Sequence, residues 1–222
     1  METPIVLAYW NIRGMAERCR HLLEYCGVPY TQVIYTPETA DKWFKEDKPK
    51  LIEKNPAITL PYLIDGDKVI SESDAILIYI CHKSKKVELL GRNIDEWIQT
   101  ATVWGVFKDA YRNYAQLCYS KYESEEAFQE AVKKSSVDWA PALAKLNGLL
   151  GEKQYIGGDI TWVDFGVADF LQILSLLSGD YLKDFPKLSE YQKRIWSLPQ
   201  LKGYFADRFK ERPINGPSAH WK

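Results

Sequence analysis

The chain has 222 residues, a length at which one or two domains can each bury a core. With 46% hydrophobic and 27% charged residues the composition is globular, which excludes a disordered or a collagen-like chain. Its 29 basic and 30 acidic residues leave a net charge of -1, so no basic surplus favours nucleic acid or a membrane surface as a partner.

The cysteines and histidines are dispersed along the chain and form no CxxC pair and no His/Cys cluster. We therefore expect no metal site, and a reducing compartment suits the four cysteines better than a disulfide framework does. The start of the chain lacks the positive leader and the cleavage site of a signal peptide. No apolar run approaches the ~18 residues that a membrane span requires. These observations predict a cytoplasmic protein.

The first part of the chain alternates strand-like and helix-like patterns. Its apolar residues recur either at helical spacing or in short runs, and turn residues such as Asp65-Gly66-Asp67 separate the runs. We expect Ser71 and Asp74 to cap the last helix of this part. The predicted elements, in the order β-α-β-α-β-β-α, are strand 4–8, helix 15–26, strand 30–35, helix 41–51, strand 60–64, strand 68–71 and helix 75–82.

The rest of the chain is predicted to be helical, because long helical patterns replace the strand signals. Thr161 and Asp164 have the spacing of a capping box, to which we assign a purely structural role. The sequence thus predicts an α/β domain over 1–83, a linker over 84–92 and an all-α domain over 93–222. The predicted helices of the second domain span 94–120, 125–150, 161–178, 188–197 and 199–210.

Three local features have a structural interpretation that, taken alone, outweighs a functional one. Pro61 opens a strand, where a trans proline is more common than a cis peptide that would expose neighbouring backbone groups to a cleft. Glu72 and Ser73 stand at the start of a helix, which fits a plain N-cap better than a carboxylate-binding site. Tyr9 lies at a sheet edge where α/β proteins bind ligands, but a lone tyrosine is more often a packing residue.

Taken together and in order, these segments resemble the cytosolic glutathione transferases, most closely the mu class. The resemblance runs over essentially the whole chain and includes the terminal Arg212-Pro213 and Trp221. It implies an N-terminal thioredoxin-like domain of order βαβαββα and a C-terminal helical-bundle domain. Thioredoxin-type redox chemistry is disfavoured, because no CxxC motif stands at the first strand–helix junction. The matching segments are residues 8–14 (AYWNIRG), 60–66 (LPYLIDG), 71–77 (SESDAIL) and 160–165 (ITWVDF).

The resemblance implies a glutathione site carried mainly by the first domain. Tyr9 matches the catalytic tyrosine whose hydroxyl donates to the glutathione sulfur, and Leu60 precedes the family's cis-proline at Pro61. Glu72 and Ser73 match the pair that binds the γ-glutamyl carboxylate. The implied glutathione-binding residues are Tyr9, Trp10, Met15, Trp43, Lys48, Thr59, Leu60, Pro61, Glu72, Ser73 and, supplied by the partner subunit of a homodimer, Asp109.

A second site, for an apolar acceptor substrate, is also implied by the resemblance. Its wall would come from the first strand–helix turn, the long helix and the C-terminal tail. In that tail, Asn215-Gly216 replaces an aromatic residue and a serine of the mu class, which makes the implied pocket roomier. The implied acceptor-site residues are Trp10, Ile12, Met15, Ala115, Tyr119, Asn215 and Gly216.

The dimer contact implied by the resemblance departs from the mu class. Ala57 or Ile58 stands where mu-class subunits insert a phenylalanine into each other. Without that phenylalanine, we expect the homodimer to depend on helix packing around Trp97, Thr100 and Trp104.

The implied activity is conjugation of the glutathione thiolate to hydrophobic electrophiles, a detoxification reaction with glutathione as co-substrate and no metal. Two alternatives stay open: a glutathione-dependent isomerase of the sigma kind, and a non-catalytic ligand-binding protein on the same scaffold. The intact Tyr9, Glu72, Ser73 and Asp109 argue against loss of glutathione binding.

Overall fold

The computed structural model describes residues 4–207 and 212–221, which belong to two compact units. Each unit is assembled from a long stretch of the chain and a shorter C-terminal one. The first unit consists of Met1–Lys86 and Gly203–Gly216, and the second of Val87–Lys202 and Pro217–Lys222.

This division differs from the predicted domains at the C-terminal end. The prediction assigns 93–222 to one helical domain, whereas Gly203–Gly216 groups with the first unit. Backbone hydrogen bonds are one reason: Arg13 N–H donates to the Pro213 carbonyl at 2.8 Å, and Gly14 N–H donates to the Ile214 carbonyl at 3.1 Å. Residues 84–92, predicted as a linker, are divided between the two units.

The first unit is built on a four-stranded mixed sheet of order β2-β1-β3-β4. Strand β1 (Ile5–Trp10) pairs in parallel with β2 (Tyr30–Tyr35) and antiparallel with β3 (Tyr62–Asp65). Strand β4 (Lys68–Ser71) returns antiparallel to β3 around Gly66, whose φ of 58° lies in the left-handed region that such a tight turn requires. The predicted thioredoxin-like order is confirmed, and it places the carboxyl end of β1 beside that of β2.

The helices of the first unit differ in detail from the predicted ones. The pattern at 41–51 folds as a π-helical turn (Lys42–Asp47) followed by a short helix, since Pro49 lacks an N–H and is tolerated only in a first helical turn. A 3₁₀ turn (Gly14–Ala16) occupies the start of the pattern at 15–26. The α-helices of this unit are α1 (Glu17–Cys26), α2 (Lys48–Leu51) and α3 (Ser73–Lys83).

The predicted cap of α3 by Ser71 is wrong. The N-cap residue is Glu72, and its side chain makes no capping bond. The Ser71 hydroxyl instead accepts a hydrogen bond from Thr59 N–H at 2.9 Å, which ties the end of β4 to the loop before β3. The helix therefore begins at Ser73 without a side-chain cap.

The second unit is helical, and its four long helices end within two residues of the predicted positions. The pattern at 199–210 begins as a 3₁₀ turn (Pro199–Leu201), and its last residues lie outside the described part of the chain. Its helices are α4 (Ile94–Tyr119), α5 (Glu125–Leu150), α6 (Trp162–Leu177) and α7 (Pro186–Trp196). The following helix, α8 (Lys202–Asp207), belongs to the first unit except for its first residue.

The predicted capping box of α6 is confirmed. The buried Asp164 carboxylate accepts hydrogen bonds from Thr161 N–H at 2.7 Å and from the Thr161 hydroxyl at 2.9 Å. It also accepts from Ile156 N–H at 3.2 Å and from the Tyr191 hydroxyl at 2.6 Å, so α6, α7 and the preceding loop share one buried acceptor.

Across the described residues, no helix combines the length and the apolar character needed to cross a bilayer. Within the same residues, no group of three or more His, Cys, Asp or Glu side chains is placed to hold a metal ion.

Candidate active site

The turn after β1 holds the Tyr9 hydroxyl. The tyrosine is 8% exposed and packs with Ile12 and Ala16. Its hydroxyl oxygen accepts a hydrogen bond from Met15 N–H at 3.3 Å. A phenolic O–H is both a donor and an acceptor, so an oxygen that accepts at this point can direct its own proton elsewhere. The arrangement therefore suits donation to an anion beside the turn.

The backbone of this turn is fixed from two directions. Arg20, buried on α1, donates from Nη1 to the Ile12 carbonyl at 3.1 Å and from Nε to Gln32 on β2 at 2.9 Å. The C-terminal segment accepts from the N–H groups of Arg13 and Gly14, as described above. The position of Tyr9 thus depends on α1, the sheet and the C-terminal segment of the first unit.

An aromatic cluster holds the π-helical turn against the sheet. Trp43 is buried and its ring stacks on Tyr62 with centroids 5.6 Å apart. The buried Tyr35 hydroxyl donates to Asp47 at 2.7 Å and lies 2.9 Å from the Tyr62 hydroxyl. Burial and these two hydrogen bonds raise the pKa of Tyr35 far above its usual value, so the phenol stays neutral and remains a donor. Trp10 contacts the Tyr35 ring edge-on at 6.1 Å.

The loop before β3 lies next to both groups of residues. Trp10 and the partly buried Leu60 each pack against the Tyr9 cluster and the Trp43 cluster. The Leu60–Pro61 peptide is cis, so the trans proline favoured by local sequence is wrong and the cis bond implied by the resemblance is confirmed. Thr59 is held by its N–H bond to Ser71, and Lys48 follows the π-helical turn as a half-buried side chain.

The start of α3 combines a strained residue with helix N-terminal donors. Glu72 is exposed and has a φ of 69°, a conformation that residues other than glycine rarely adopt. Ser73 is buried, and its hydroxyl donates to Asp74 at 3.3 Å. The N–H groups of a first helical turn and the positive end of the helix dipole favour a carboxylate at such a position.

The predicted acceptor residues are divided between the two units. In the first unit, Ile12 and Met15 pack around Tyr9 and Trp10. Asn215 and Gly216 lie in the same unit and are buried, with Asn215 only 4% exposed, so a larger side chain at 215 would have to displace its surroundings.

The predicted residues of α4 belong to the second unit. Ala115 and Tyr119 lie one helical turn apart on the same face. The C-terminal tail was expected beside this helix, but through Asn215 and Gly216; near Tyr119 it is His220 whose backbone N–H donates to the Cys118 carbonyl at 2.7 Å. Residues of the helix end, the following loop and the tail line a cavity of about 490 Å³: Tyr119, Ser120, Lys121, Tyr122, Ser218 and His220.

The predicted dimer residues have different exposures. Asp109 is exposed on α4, with its carboxylate 2.9 Å from Arg112 Nη2. Trp97 is 53% exposed, but Thr100 and Trp104 are 2% and 5% exposed. Thr100 and Trp104 fill the interior of the second unit and cannot form a subunit contact as predicted. Ile58 is likewise buried, in the aromatic cluster of the first unit.

Comparison with known proteins identifies the family. The family model "Glutathione S-transferase, N-terminal domain" matches residues 5–82, and "Glutathione S-transferase, C-terminal domain" matches residues 108–208. A class-mu 26 kDa isozyme of glutathione S-transferase from Fasciola hepatica is 33% identical over 96% of this chain and 93% of its own length. Human glutathione S-transferase Mu 2 is 34% identical over 98% of both chains.

Solved structures give the same result. The Pi-class glutathione S-transferase of Onchocerca volvulus superposes with a TM-score of 0.80 at 26% identity, covering 98% of this chain and 100% of the other. The resemblance drawn from the sequence motifs is confirmed. The chain belongs to the glutathione S-transferase family, and the curated relatives named here are of its mu class.

Proposed function

We propose that this glutathione transferase conjugates the glutathione thiolate to apolar electrophiles, with Tyr9 as the catalytic residue. The observation that carries the proposal is the Tyr9 hydroxyl, which the Met15 N–H holds at the carboxyl end of β1. The loop with the cis Leu60–Pro61 bond packs against the same cluster.

Glutathione would extend across the first unit. The N–H groups at the N-terminal end of α3 and the Ser73 hydroxyl are suited to the γ-glutamyl carboxylate, and the Glu72 carboxylate is suited to the amine beside it. The backbone at Leu60 would pair with the cysteinyl unit. The glycine end would lie near Lys48 and near Trp43, whose position the aromatic cluster fixes.

Tyr9 would contribute to catalysis by stabilising the thiolate of bound glutathione. A thiol with a pKa of ~8.5 is only about 3% ionised at pH 7. A hydrogen bond to the charged form that lowers the pKa by ~2 units raises the thiolate fraction about 25-fold. Nucleophilicity falls with the pKa and removes about tenfold of that gain. The net gain is a few-fold, so alignment of the electrophile with the sulfur must supply most of the acceleration.

The reaction balances without a further reactant. The thiol proton is released to solvent when the thiolate forms. The sulfur then gives an electron pair to the electrophilic carbon, and a leaving group such as halide departs with the electrons of the broken bond. The apolar side chains of Trp10, Ile12 and Met15 around Tyr9 favour apolar electrophiles over charged ones.

The proposal includes a homodimer in the cytoplasm. The exposed carboxylate of Asp109 would reach the γ-glutamyl amine of glutathione bound to the other subunit. The exposed apolar residues at the start of α4, namely Ile94, Trp97 and Ile98, support a subunit contact there.

The test combines binding and turnover. The pure protein is retained on immobilised glutathione, eluted with free glutathione, and assayed with an aryl halide and with a prostaglandin-type endoperoxide. Conjugation of the halide with release of halide ion supports the proposal. Isomerisation of the endoperoxide without conjugation would favour the sigma-type alternative, and glutathione binding without either reaction would favour a ligand-binding protein.

A further inference from the structure

Gly14 leaves no room for a side chain beside Tyr9. Its φ of 42° lies in the left-handed region. A Cβ atom at this position would lie 2.9 Å from both the Cε1 and the hydroxyl oxygen of Tyr9, and 3.2 Å from Cδ1 of Ile12. Such distances are shorter than van der Waals contact, so any other residue here requires a neighbour to move.

The neighbour that would move is the tip of the tyrosine ring. The backbone of Gly14 is restrained, because its N–H donates to the Ile214 carbonyl at 3.1 Å and the preceding Arg13 N–H donates to Pro213. The two closest atoms belong to the outer end of the Tyr9 side chain, which can rotate at less cost than the backbone can shift. A displaced ring would also break the hydrogen bond that the hydroxyl accepts from the N–H of Met15, the residue after Gly14.

We propose that Gly14 is a positioning residue, whose missing side chain sets the place of the Tyr9 hydroxyl. The inference rests on the proposed role of Tyr9 in conjugation. Gly14 itself touches no reacting atom in this account. Its effect passes through the tyrosine, because a donor displaced by a fraction of an ångström no longer meets the thiolate at hydrogen-bonding distance.

Gly14→Ala tests the proposal against Gly66→Ala as the matched control. Gly66 also has a positive φ, of 58°, but no atom lies within 4 Å of its Cβ position. Both variants introduce the same backbone strain, and only one of them meets Tyr9. We expect Gly14→Ala to raise the pKa of bound glutathione, measured by thiolate absorbance, and to lower kcat about tenfold or more. Gly66→Ala should stay within about twofold of the wild type.

The glutathione KM separates this effect from loss of binding. It should change by less than about threefold in Gly14→Ala, since the γ-glutamyl and glycyl contacts lie elsewhere. An unshifted thiol pKa in a folded Gly14→Ala protein would overturn the proposal. A wild type that binds glutathione but conjugates nothing would instead contradict the proposed function, because it would leave no turnover for Gly14 to affect.

Two double variants complete the test. In a Tyr9→Phe background there is no hydroxyl to displace, so adding Gly14→Ala should change kcat by less than about twofold. If Gly14→Ala does not fold, Tyr9→Ala removes the ring that it meets, and Tyr9→Ala/Gly14→Ala should fold, with a loss of thermal stability relative to Tyr9→Ala no greater than that of Gly66→Ala relative to the wild type. Failure of this double variant to fold, or a further tenfold loss in the Tyr9→Phe background, contradicts the proposal.

Discussion

The Tyr204 hydroxyl donates to a carboxylate oxygen of Glu17 at 2.6 Å, although the two residues lie 187 positions apart in the chain. Glu17 is fully buried in the first unit, and its other partners are Arg20 at 2.8 Å and His21 at 3.3 Å. Burial alone would raise the pKa of Glu17. The hydrogen bond from His21 and the charges of His21, Arg20 and Arg13 outweigh burial and hold that pKa well below its usual range. The carboxylate is therefore charged at neutral pH.

Glu17→Gln should lower the free energy of unfolding at pH 7 by about 3–5 kcal/mol, because it leaves the buried Arg20 guanidinium without its counter-charge. The pKa of Glu17 is depressed in the folded state, so its carboxylate stabilises the fold above the ordinary pKa of 4.5 and less as the pH falls below it. Urea unfolding at a series of pH values measures the difference between the variant and the wild type.

This difference should shrink progressively below about pH 4.5. The exposed Glu53→Gln is the control and should track the wild type at every pH. A gap between Glu17→Gln and the wild type that stays constant down to pH 3 would show that the charge of Glu17 is not what stabilises the fold.

Tyr9→Phe removes the hydroxyl and keeps the ring that packs with Ile12 and Ala16. Glutathione affinity should stay within a few-fold of the wild type, whereas turnover near pH 7 should fall about tenfold or more, since the thiolate loses both its stabilising donor and the contact that aligns the sulfur with the electrophile. Titration of the bound thiol by its absorbance is the decisive measurement. The same thiol pKa in the variant and the wild type would remove Tyr9 from the mechanism.

Because the backbone of Glu72 is strained, we expect its replacement by glycine to affect folding stability and glutathione binding in different ways. Glu72→Gly relieves the positive φ and should leave the free energy of unfolding unchanged or raise it by up to about 1 kcal/mol. It should weaken glutathione binding about tenfold, because the charged contact between the Glu72 carboxylate and the γ-glutamyl ammonium group is lost.

Lys85→Gly is the matched control, since Lys85 is exposed and has a φ of 60°. It should relieve strain in the same way and leave glutathione binding intact. Equal affinity in Glu72→Gly and Lys85→Gly, measured by calorimetry, would mean that Glu72 does not bind glutathione.

Asp109→Asn tests the shared site. The surface pair with Arg112 contributes only about 0–1 kcal/mol to folding, so the variant should keep its stability. Glutathione affinity should fall several-fold, because the γ-glutamyl amine loses its counter-charge. Arg112→Ala breaks the same surface pair and should leave affinity unchanged. Sedimentation of a fully active monomer, or equal affinity losses in the two variants, would argue against a carboxylate shared between subunits.

The regular helices could be predicted closely because local signals mark their ends. Asn93 and Ser124 accept from the backbone at the starts of α4 and α5, and Asp164 completes the capping box of α6. Such short-range hydrogen bonds join residues at a fixed spacing in the sequence, so the residue types at that spacing predict them.

The features that sequence reasoning missed depend on contacts between distant residues. Ser71 has the spacing of a cap, but its hydroxyl bonds to Thr59, on a loop 12 positions away. In the π-helical turn of Lys42–Asp47, Trp43 packs on Tyr62, and this contact between distant residues leaves no signal in the local hydrophobic pattern. Likewise, the lack of room for a side chain at Gly14 depends on the position of the Tyr9 ring in the folded protein.

Of the candidate site, the cis bond at Pro61 is confirmed, and it came from the order of the motifs, since a trans proline was favoured when the position was considered alone. The catalytic role of Tyr9 came from the same order and stays a prediction. The lining of the Tyr119 cavity by His220 was not predictable, because the tail reaches α4 through a backbone hydrogen bond that any residue could make.

The return of Gly203–Gly216 to the first unit affects how the protein is made. A ribosome releases the first 86 residues long before it adds the segment that accepts from Arg13 and Gly14 and the Tyr204 that bonds to Glu17. The native contacts of the nascent thioredoxin-like sheet therefore stay incomplete, with the buried charges of α1 lacking one partner, until residues 203–216 have been synthesised. A message cut short before the codons for this segment would yield a chain that has Tyr9, Leu60 and Glu72 but lacks the carbonyls that accept from Arg13 and Gly14.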